Sequence, residues 1–116
     1  MEKIKKLKGK KIISNLFKNG LSYEYESLTL FYLKEKNPLN FIYFSVSVPK
    51  RIHKKAVDRN KIKRLLRESI YSYDFSSILL SNSIYFFLIY SNSKILSFNE
   101  TKSLSHSLFS KCFYSK

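Results

Sequence analysis

The segment from Lys50 to Arg67, KRIHKKAVDRNKIKRLLR, constrains this chain more than any other part of it. It contains nine basic residues and one acid, Asp58, so it carries a formal charge of +8 out of the chain's net +14. Like charges at this density repel one another and oppose compaction. A bound polyanion offsets that repulsion, and nucleic acid is the first candidate.

The second half of this segment has the pattern of an amphipathic helix. An apolar stripe at helical spacing consists of Ile62, Leu65, Leu66, Ile70 and Tyr73. A second face, at positions i, i+3, i+4 and i+7, consists of Asn60, Lys63, Arg64 and Arg67, with Arg59 at its edge. Asp58 is the predicted N-cap. We expect this helix to bury one side and to present a cationic side whose guanidinium groups suit phosphate.

An ordinary solvated face is the alternative interpretation of the charged side of this helix. Solvated faces usually mix both signs of charge, whereas Glu68 is the only acid near this one. The almost uniform sign therefore favours a binding surface for nucleic acid.

The whole chain of 116 residues predicts a single domain, because a hydrophobic content of 44% supports one modest core. Residues 1–11 contain six lysines, and we expect them to form a flexible basic arm. The opening MEKIKKLKGKK is too polar for a signal peptide, and the longest apolar run, Ile84 to Tyr90, is too short to cross a bilayer. A single cysteine allows no intrachain disulfide, which fits a cytoplasmic location.

Hydrophobic periodicity predicts an α+β fold in which a small sheet of about four strands packs with helices. The predicted order is α-β-β-α-β-α, with elements at Lys11–Lys18, Leu28–Leu33, Phe41–Val48, the basic helix, Ile84–Tyr90 and Asn99–Phe113. Gly20 and Asn99 are predicted caps of the first and last helices. The turn signal Asn37-Pro38 predicts that the first two strands form an antiparallel hairpin. The apolar run at residues 84–90 predicts a central strand.

Aromatic residues are concentrated in the first half of the chain, and most of them are expected in the core. A small sheet has two faces, however, and helices need not cover both of them. Aromatic side chains left on an open face would form a stacking platform for unpaired bases.

Residues suited to catalysis are sparse in this sequence. Only Glu24 and Glu26 are close together among the acids, and the expected interpretation is a solvated pair. His53 lies in the basic loop and is predicted to neighbour phosphate rather than to act as a general base. Cys112 and His106 are too weak a signal for a nucleophile or a metal site. We therefore expect no catalytic residue and no metal site on the protein itself.

The stretch FSVSVPKRIHKKAVDRNKIKRLLRES resembles the signature of the bacterial ribonuclease P protein subunit family. The central motif runs from Arg59 to Glu68, and Leu7 with Phe17-Lys18-Asn19-Gly20 resembles the family's N-terminal helix. Three departures concern Lys61, where the family commonly has Arg, Ile13, where many members have an aromatic, and the crossover loop, which lacks the usual Gly. Lys61 keeps the charge but loses the guanidinium fork, and the last two departures affect local leader contacts and loop geometry rather than the assignment.

This resemblance implies a ribosomal protein S5 domain 2-like fold with a left-handed βαβ crossover, against the usual right-handed rule. It also implies a protein subunit of ribonuclease P, which binds the catalytic RNA subunit and the 5′ leader of precursor tRNA, with one protein per RNA. The RNA subunit would perform the hydrolysis with Mg²⁺ that it mainly holds itself.

The resemblance also assigns two sets of residues to these tasks. Residues expected to bind RNA are Lys50, Arg51, Lys54, Lys55, Arg59, Asn60, Lys61, Lys63, Arg64 and Arg67. Residues expected to line a leader-binding cleft between the first helix and the sheet are Phe17, Phe31 and Tyr114.

Two rival functions differ from this expectation. A ribosomal or general RNA-binding protein of similar fold would share the basic composition, although the spacing of Arg59, Asn60, Lys61, Ile62, Lys63 and Arg64 argues against it. A protein-only nuclease would need clustered acids for metal ions, and the sequence does not provide them.

Overall fold

A computed structural model of the chain describes residues 4–7, 9–36, 41–76 and 82–113. The elements are β1 (Ile4–Lys6), α1 (Lys10–Asn19), β2 (Leu21–Tyr25), β3 (Leu28–Lys36), β4 (Ile42–Ser47), α2 (Ala56–Tyr71), β5 (Asn82–Tyr90) and α3 (Phe98–Phe113). The α+β class and the order of the six predicted elements are confirmed, and β1 and β2 are two further strands. None of the helices in these ranges is long and apolar enough to cross a membrane.

The five strands form one mixed sheet in the order β1-β4-β5-β3-β2. The central strand, β5, is antiparallel to β3 and parallel to β4, so the predicted hairpin of β3 with β4 is wrong. The reason is that β5 is apolar on both faces and is therefore the strand best suited to lie between two others. The predicted turn at Asn37-Pro38 lies outside the described residues.

A tight hairpin joins β2 to β3 instead. Leu21 pairs with Tyr32 and Tyr25 pairs with Leu28, which leaves Glu26 and Ser27 as the connection. Glu26 has a φ of 55°, a left-handed conformation that such two-residue turns require. Glu24 on β2 and Glu26 in the turn are both exposed, as the prediction of a solvated pair requires.

One face of the sheet forms the core with α2 and α3. The strands contribute Leu28, Leu30, Ile42, Phe44, Ile84, Phe86 and Leu88, and the two helices contribute Ile62, Leu66, Ile70, Leu108 and Phe109. The predicted apolar stripe of the basic helix is confirmed at Ile62, Leu66 and Ile70, whereas Leu65 is half-buried and Tyr73 packs against the core from beyond the end of α2. The parallel neighbours β4 and β5 are joined through α2, as the resemblance implies; the left hand of that crossover stays a prediction.

The N-terminal segment contradicts the prediction of a flexible arm at residues 4–7. β1 pairs in parallel with β4 at the edge of the sheet, and the backbone N–H of Leu7 donates to the carbonyl of Phe44 over 2.5 Å. Ile4 and Leu7 are both buried. The burial of these two apolar residues holds the segment in place, while Lys5 and Lys6 between them remain exposed.

The helix termini correct two of the predicted caps. α2 begins at Ala56, so Asp58 lies inside its first turn. Its carboxylate there interacts favourably with the positive end of the helix dipole but does not cap the helix. α3 is capped by Ser97 rather than Asn99: the N–H of Glu100 donates to Ser97 Oγ, and the N–H of Ser97 donates to Glu100 Oε1. This is a capping box. Gly20 ends α1 as predicted.

Candidate nucleic-acid interface

The crossover loop, residues 48–55, turns sharply as it leaves β4. The backbone N–H groups of Ile52 and His53 both donate to the carbonyl of Pro49 over 3.1 Å. The loop exposes four of the predicted RNA-binding residues, which are Lys50, Arg51, Lys54 and Lys55. Their charges therefore remain available to an anionic partner.

His53 does not take the predicted place beside phosphate, because it is only 6% exposed. Its Nε2 donates to the carbonyl of Asn92 over 2.7 Å, and Asn92 Nδ2 in turn donates to Ser27 Oγ over 2.9 Å. The imidazole therefore fastens the crossover loop to the segment after β5 and to the turn between β2 and β3. A buried and hydrogen-bonded histidine of this kind positions the loop.

Arg59 has a similar structural task in addition to its charge. Its Nη1 donates to the carbonyl of His53 over 3.0 Å and to that of Lys54 over 2.8 Å. Hydrogen bonds from a charged donor are about twice as strong as neutral ones. Arg59 thus holds the crossover loop against the first turn of α2, while its remaining nitrogens leave room for a further anion.

The outer face of α2 carries the remaining predicted RNA-binding residues. Asn60, Lys61 and Arg64 are exposed, and Lys63 and Arg67 are half-buried. Arg67 also lines a small cleft of about 120 Å³ together with Lys6 of β1. The basic surface therefore extends from the crossover loop and α2 onto the sheet edge, which the sequence pattern alone did not indicate.

The opposite face of the sheet carries an aromatic cluster beneath α1. The ring of Phe17 lies edge-on to Phe31, with 4.8 Å between centroids, and 5.3 Å from Phe87. Phe17 is 46% exposed, so this cluster is open to solvent at one side. The structure brings together the predicted residues Phe17 and Phe31, whereas Tyr114 lies outside the described residues.

Phe87 was not among the predicted site residues, because the run at residues 84–90 was predicted only as a central strand. Register explains its position, because Phe87 pairs with Phe31 across β3 and β5 while the buried Phe86 faces the other side. The strict alternation of strand side chains was the available signal.

A second aromatic group continues across the same open face on β4 and β5. Tyr43 and Tyr85 pair in register, and their rings stack with centroids 5.1 Å apart and planes 8° apart. Phe41 lies 5.7 Å from Tyr43, and Lys5 Nζ lies 4.7 Å from the Phe41 centroid. The open face thus combines ring surfaces with positive charge, which is the composition of a platform for unpaired nucleic acid.

Cys112 and His106, the catalytic candidates, are engaged in packing. Burial raises the pKa of the Cys112 thiol to about 11, so the group is protonated at neutral pH. His106 Nε2 lies 3.0 Å from the carbonyl of Ser69. Within the described ranges, no group of three or more His, Cys, Asp and Glu side chains could hold a metal ion.

Comparison with known proteins identifies the family. The family model described as Ribonuclease P matches residues 1–112. The chain belongs to this family. A relative, the ribonuclease P protein component of Prochlorococcus marinus (strain MIT 9301), is 32% identical over 73 residues, which are 54% of this chain and 57% of the relative. The match thus spans less than two thirds of that relative's length.

Solved structures of family members confirm the fold. The ribonuclease P protein of Staphylococcus aureus superposes with a TM-score of 0.68 at 22% identity, covering 93% of this chain and 96% of that one. The protein of Thermotoga maritima gives a TM-score of 0.71 at 20% identity, covering 89% and 93%. The assignment of individual residues to RNA or to a leader stays a prediction.

Proposed function

We propose that this chain is the protein subunit of ribonuclease P. It binds the catalytic RNA subunit and the 5′ leader of precursor tRNA, and so promotes endonucleolytic removal of the leader to give the mature 5′ end. One observation carries the proposal within the family: the basic surface of the crossover loop and α2 and the aromatic cluster of Phe17, Phe31 and Phe87 are two separate surfaces. A protein that must bind two RNA molecules needs two such surfaces.

The RNA subunit binds the crossover loop and the outer face of α2. The exposed lysines and arginines there neutralise phosphates and release counterions, which supplies affinity without sequence preference. Arg64 donates to phosphate with two parallel hydrogen bonds, because the guanidinium fork matches that geometry. The half-buried Lys63 and Arg67 are held by their packed stems, so they lose less conformational freedom when they bind.

The leader binds along the open face of the sheet beside α1. Stacking on Phe17, Phe31 and Phe87 tolerates every base, because each base has a π-face. That tolerance suits a subunit that accepts precursors with different leaders. A mature tRNA has no leader, so it gains nothing from this surface.

The chemistry belongs to the RNA subunit in this proposal. Mg²⁺ held mainly by that RNA activates the attacking water and stabilises the leaving oxygen of the phosphodiester. This chain contributes binding and orientation, with one protein per RNA, in the cytoplasm. The family membership supports this division of tasks.

Reconstitution tests the proposal directly. The purified chain, combined with the host's ribonuclease P RNA at low Mg²⁺, should raise the turnover of precursor tRNA above that of the RNA alone. Unchanged turnover would contradict the function. Cleavage by the protein without RNA would indicate a protein-only nuclease, and co-purification with ribosomes rather than with one structured RNA would indicate the ribosomal alternative.

A further inference from the structure

A cleft of about 250 Å³ lies on the open face between the N-terminal half of α1 and the sheet. Its lining consists of Lys11, Ile12, Asn15, Leu33, Glu35 and Tyr85. The family resemblance assigned none of these residues to a site. The Phe17, Phe31 and Phe87 cluster lies farther along the same face, so this cleft is a separate place at which a nucleotide can be held.

The floor of the cleft is suited to a flat ring. Tyr85 is fixed in orientation by its stacking on Tyr43, and Leu33 pairs with Tyr85 in register and lies beside it. Ile12 of α1 forms an apolar wall and is 42% exposed. An unpaired base that enters here covers apolar surface on three sides and can stack on the Tyr85 ring.

The rim of the cleft carries a carboxylate in a strongly basic protein. Glu35 lies two residues after Leu33 on β3, on the same face of the sheet, and pairs with Ser83. Glu35 and Tyr85 line the same cleft, and the pKa of Tyr85 is raised by burial and further by the charges of Glu35 and Tyr43. An ionised carboxylate only accepts hydrogen bonds. The Glu35 carboxylate therefore repels phosphate and favours a base edge that donates.

We propose that this cleft binds an unpaired guanine of the leader, with the base on Tyr85 and its Watson–Crick edge on Glu35. Guanine presents two adjacent donors, N1–H and the N2 amino group, which match the two oxygens of a carboxylate. Adenine and cytosine each place one amino donor next to an acceptor nitrogen, and uracil places one donor between two acceptors. Lys11 at the mouth of the cleft can pair with the adjoining phosphate. This inference rests on the proposed function of the open face.

The strand register places this guanine upstream of the other leader nucleotides. Ser47, the last residue of β4 before the crossover loop, pairs with Ile89. Tyr85 is four residues back along β5, roughly 13 Å from Ile89 at the usual rise of a strand, and Phe87 lies midway. If the crossover loop lies near the catalytic centre, the leader reaches the phenylalanine cluster first and the guanine cleft afterwards.

The test uses the reconstituted holoenzyme and precursor tRNAs whose leaders are otherwise uniform and carry G, A, C or U at each upstream position in turn. We expect one upstream position at which G improves the dissociation constant over U by about tenfold, since a bidentate pair with a base edge discriminates at that level. Glu35→Gln should abolish this preference, because an amide replaces one acceptor by a donor that opposes guanine's own. Tyr85→Leu should weaken binding of all four bases at that position.

Glu24→Gln is the matched control, because Glu24 is an exposed acid on β2 whose partner Thr29 lies on the same open face. It removes the same charge away from the cleft and should leave the guanine preference intact. A flat base profile in the unaltered holoenzyme, or a preference that survives Glu35→Gln, would overturn the inference. Failure of the unaltered holoenzyme to favour precursor over mature tRNA would instead refute the proposed function. Melting curves show whether each variant folds.

Discussion

Truncation of Phe31 tests whether the open face of the sheet binds the leader or is ordinary core. In Phe31→Ala the ring that pairs edge-on with Phe17 is lost, while the buried face of β3, which carries Leu28 and Leu30, is untouched. The mutant protein should therefore bind precursor tRNA less tightly and bind mature tRNA as before. The proposed leader contact predicts this difference, whereas a purely structural role does not.

The structure sets the expected magnitudes. Loss of one stacked base costs about 1–3 kcal/mol, which corresponds to roughly a 5- to 150-fold weaker affinity for precursor. The loss of stability should be smaller than the roughly 3–5 kcal/mol typical of a buried Phe, because Phe31 is only half-buried. The edge-on pair with Phe17 accounts for about 0.5–1.5 kcal/mol of it.

Two measurements decide the outcome. Equilibrium binding of precursor and of mature tRNA to the reconstituted holoenzyme gives the affinities, and urea denaturation of the protein gives the stability. Leu30→Ala is the matched control: the neighbouring residue on the buried face should lose about 2–5 kcal/mol of stability without distinguishing the two RNAs. Equal losses of affinity for precursor and mature tRNA in Phe31→Ala would refute the leader assignment.

Four further predictions concern single residues. Arg64→Ala should weaken binding to the RNA subunit and reduce the slope of log affinity against log salt by about one, without a change in melting temperature because the side chain is exposed; an unchanged slope would contradict phosphate contact. Arg59→Ala should also lower the melting temperature and speed amide exchange in the crossover loop, since two carbonyls lose their donor; protection equal to that in Arg64→Ala would argue against the loop role. Ser97→Ala should cost about 1 kcal/mol in urea denaturation by removing the cap of α3, and no loss would rule out the capping box. Because the folded-state pKa of Cys112 is raised from 9.0 to about 11, its contribution to stability is full below pH 9 and is lost as pH rises through 11; Cys112→Ala should remove this dependence from the stability profile.

Local patterns in the sequence predict the individual elements well. The apolar stripe of α2 was predictable because only one face of a helix at this spacing can pack against a sheet, and Ile62, Leu66 and Ile70 are indeed buried. The alternation of side chains in β4 was predictable because successive residues of a strand point to opposite faces of the sheet. Ile42 and Phe44 indeed face the core.

Strand order could not be predicted in this way, because it depends on contacts between distant parts of the chain. The short connection between β3 and β4 suggested a hairpin, yet β5 lies between them. β5 carries apolar side chains on both faces, buried on the core side and half-buried on the open side, and this outweighs the advantage of a short connection. β1 was missed because its lysines outnumber the one apolar residue that the sheet edge buries.

The candidate site shows the same limit at the level of side chains. The charge density identified the basic surface, but it did not reveal that Arg59 and His53 hold backbone carbonyls. The sequence also did not distinguish Phe86 in the core from Phe87 on the open face, because that distinction requires the register of β5 against β3.

The hydrogen bonds of the crossover loop connect the two proposed binding surfaces mechanically. The imidazole of His53 holds the loop to Asn92, two residues after β5 ends, and Arg59 holds the same loop to α2. The strands on either side of the loop, β4 and β5, are also those that carry Tyr43, Tyr85 and Phe87 on the open face. A basic loop fixed to both strands cannot tilt independently of the aromatic platform. Under the proposed function, binding of the RNA subunit at the loop would therefore also orient the leader across the sheet.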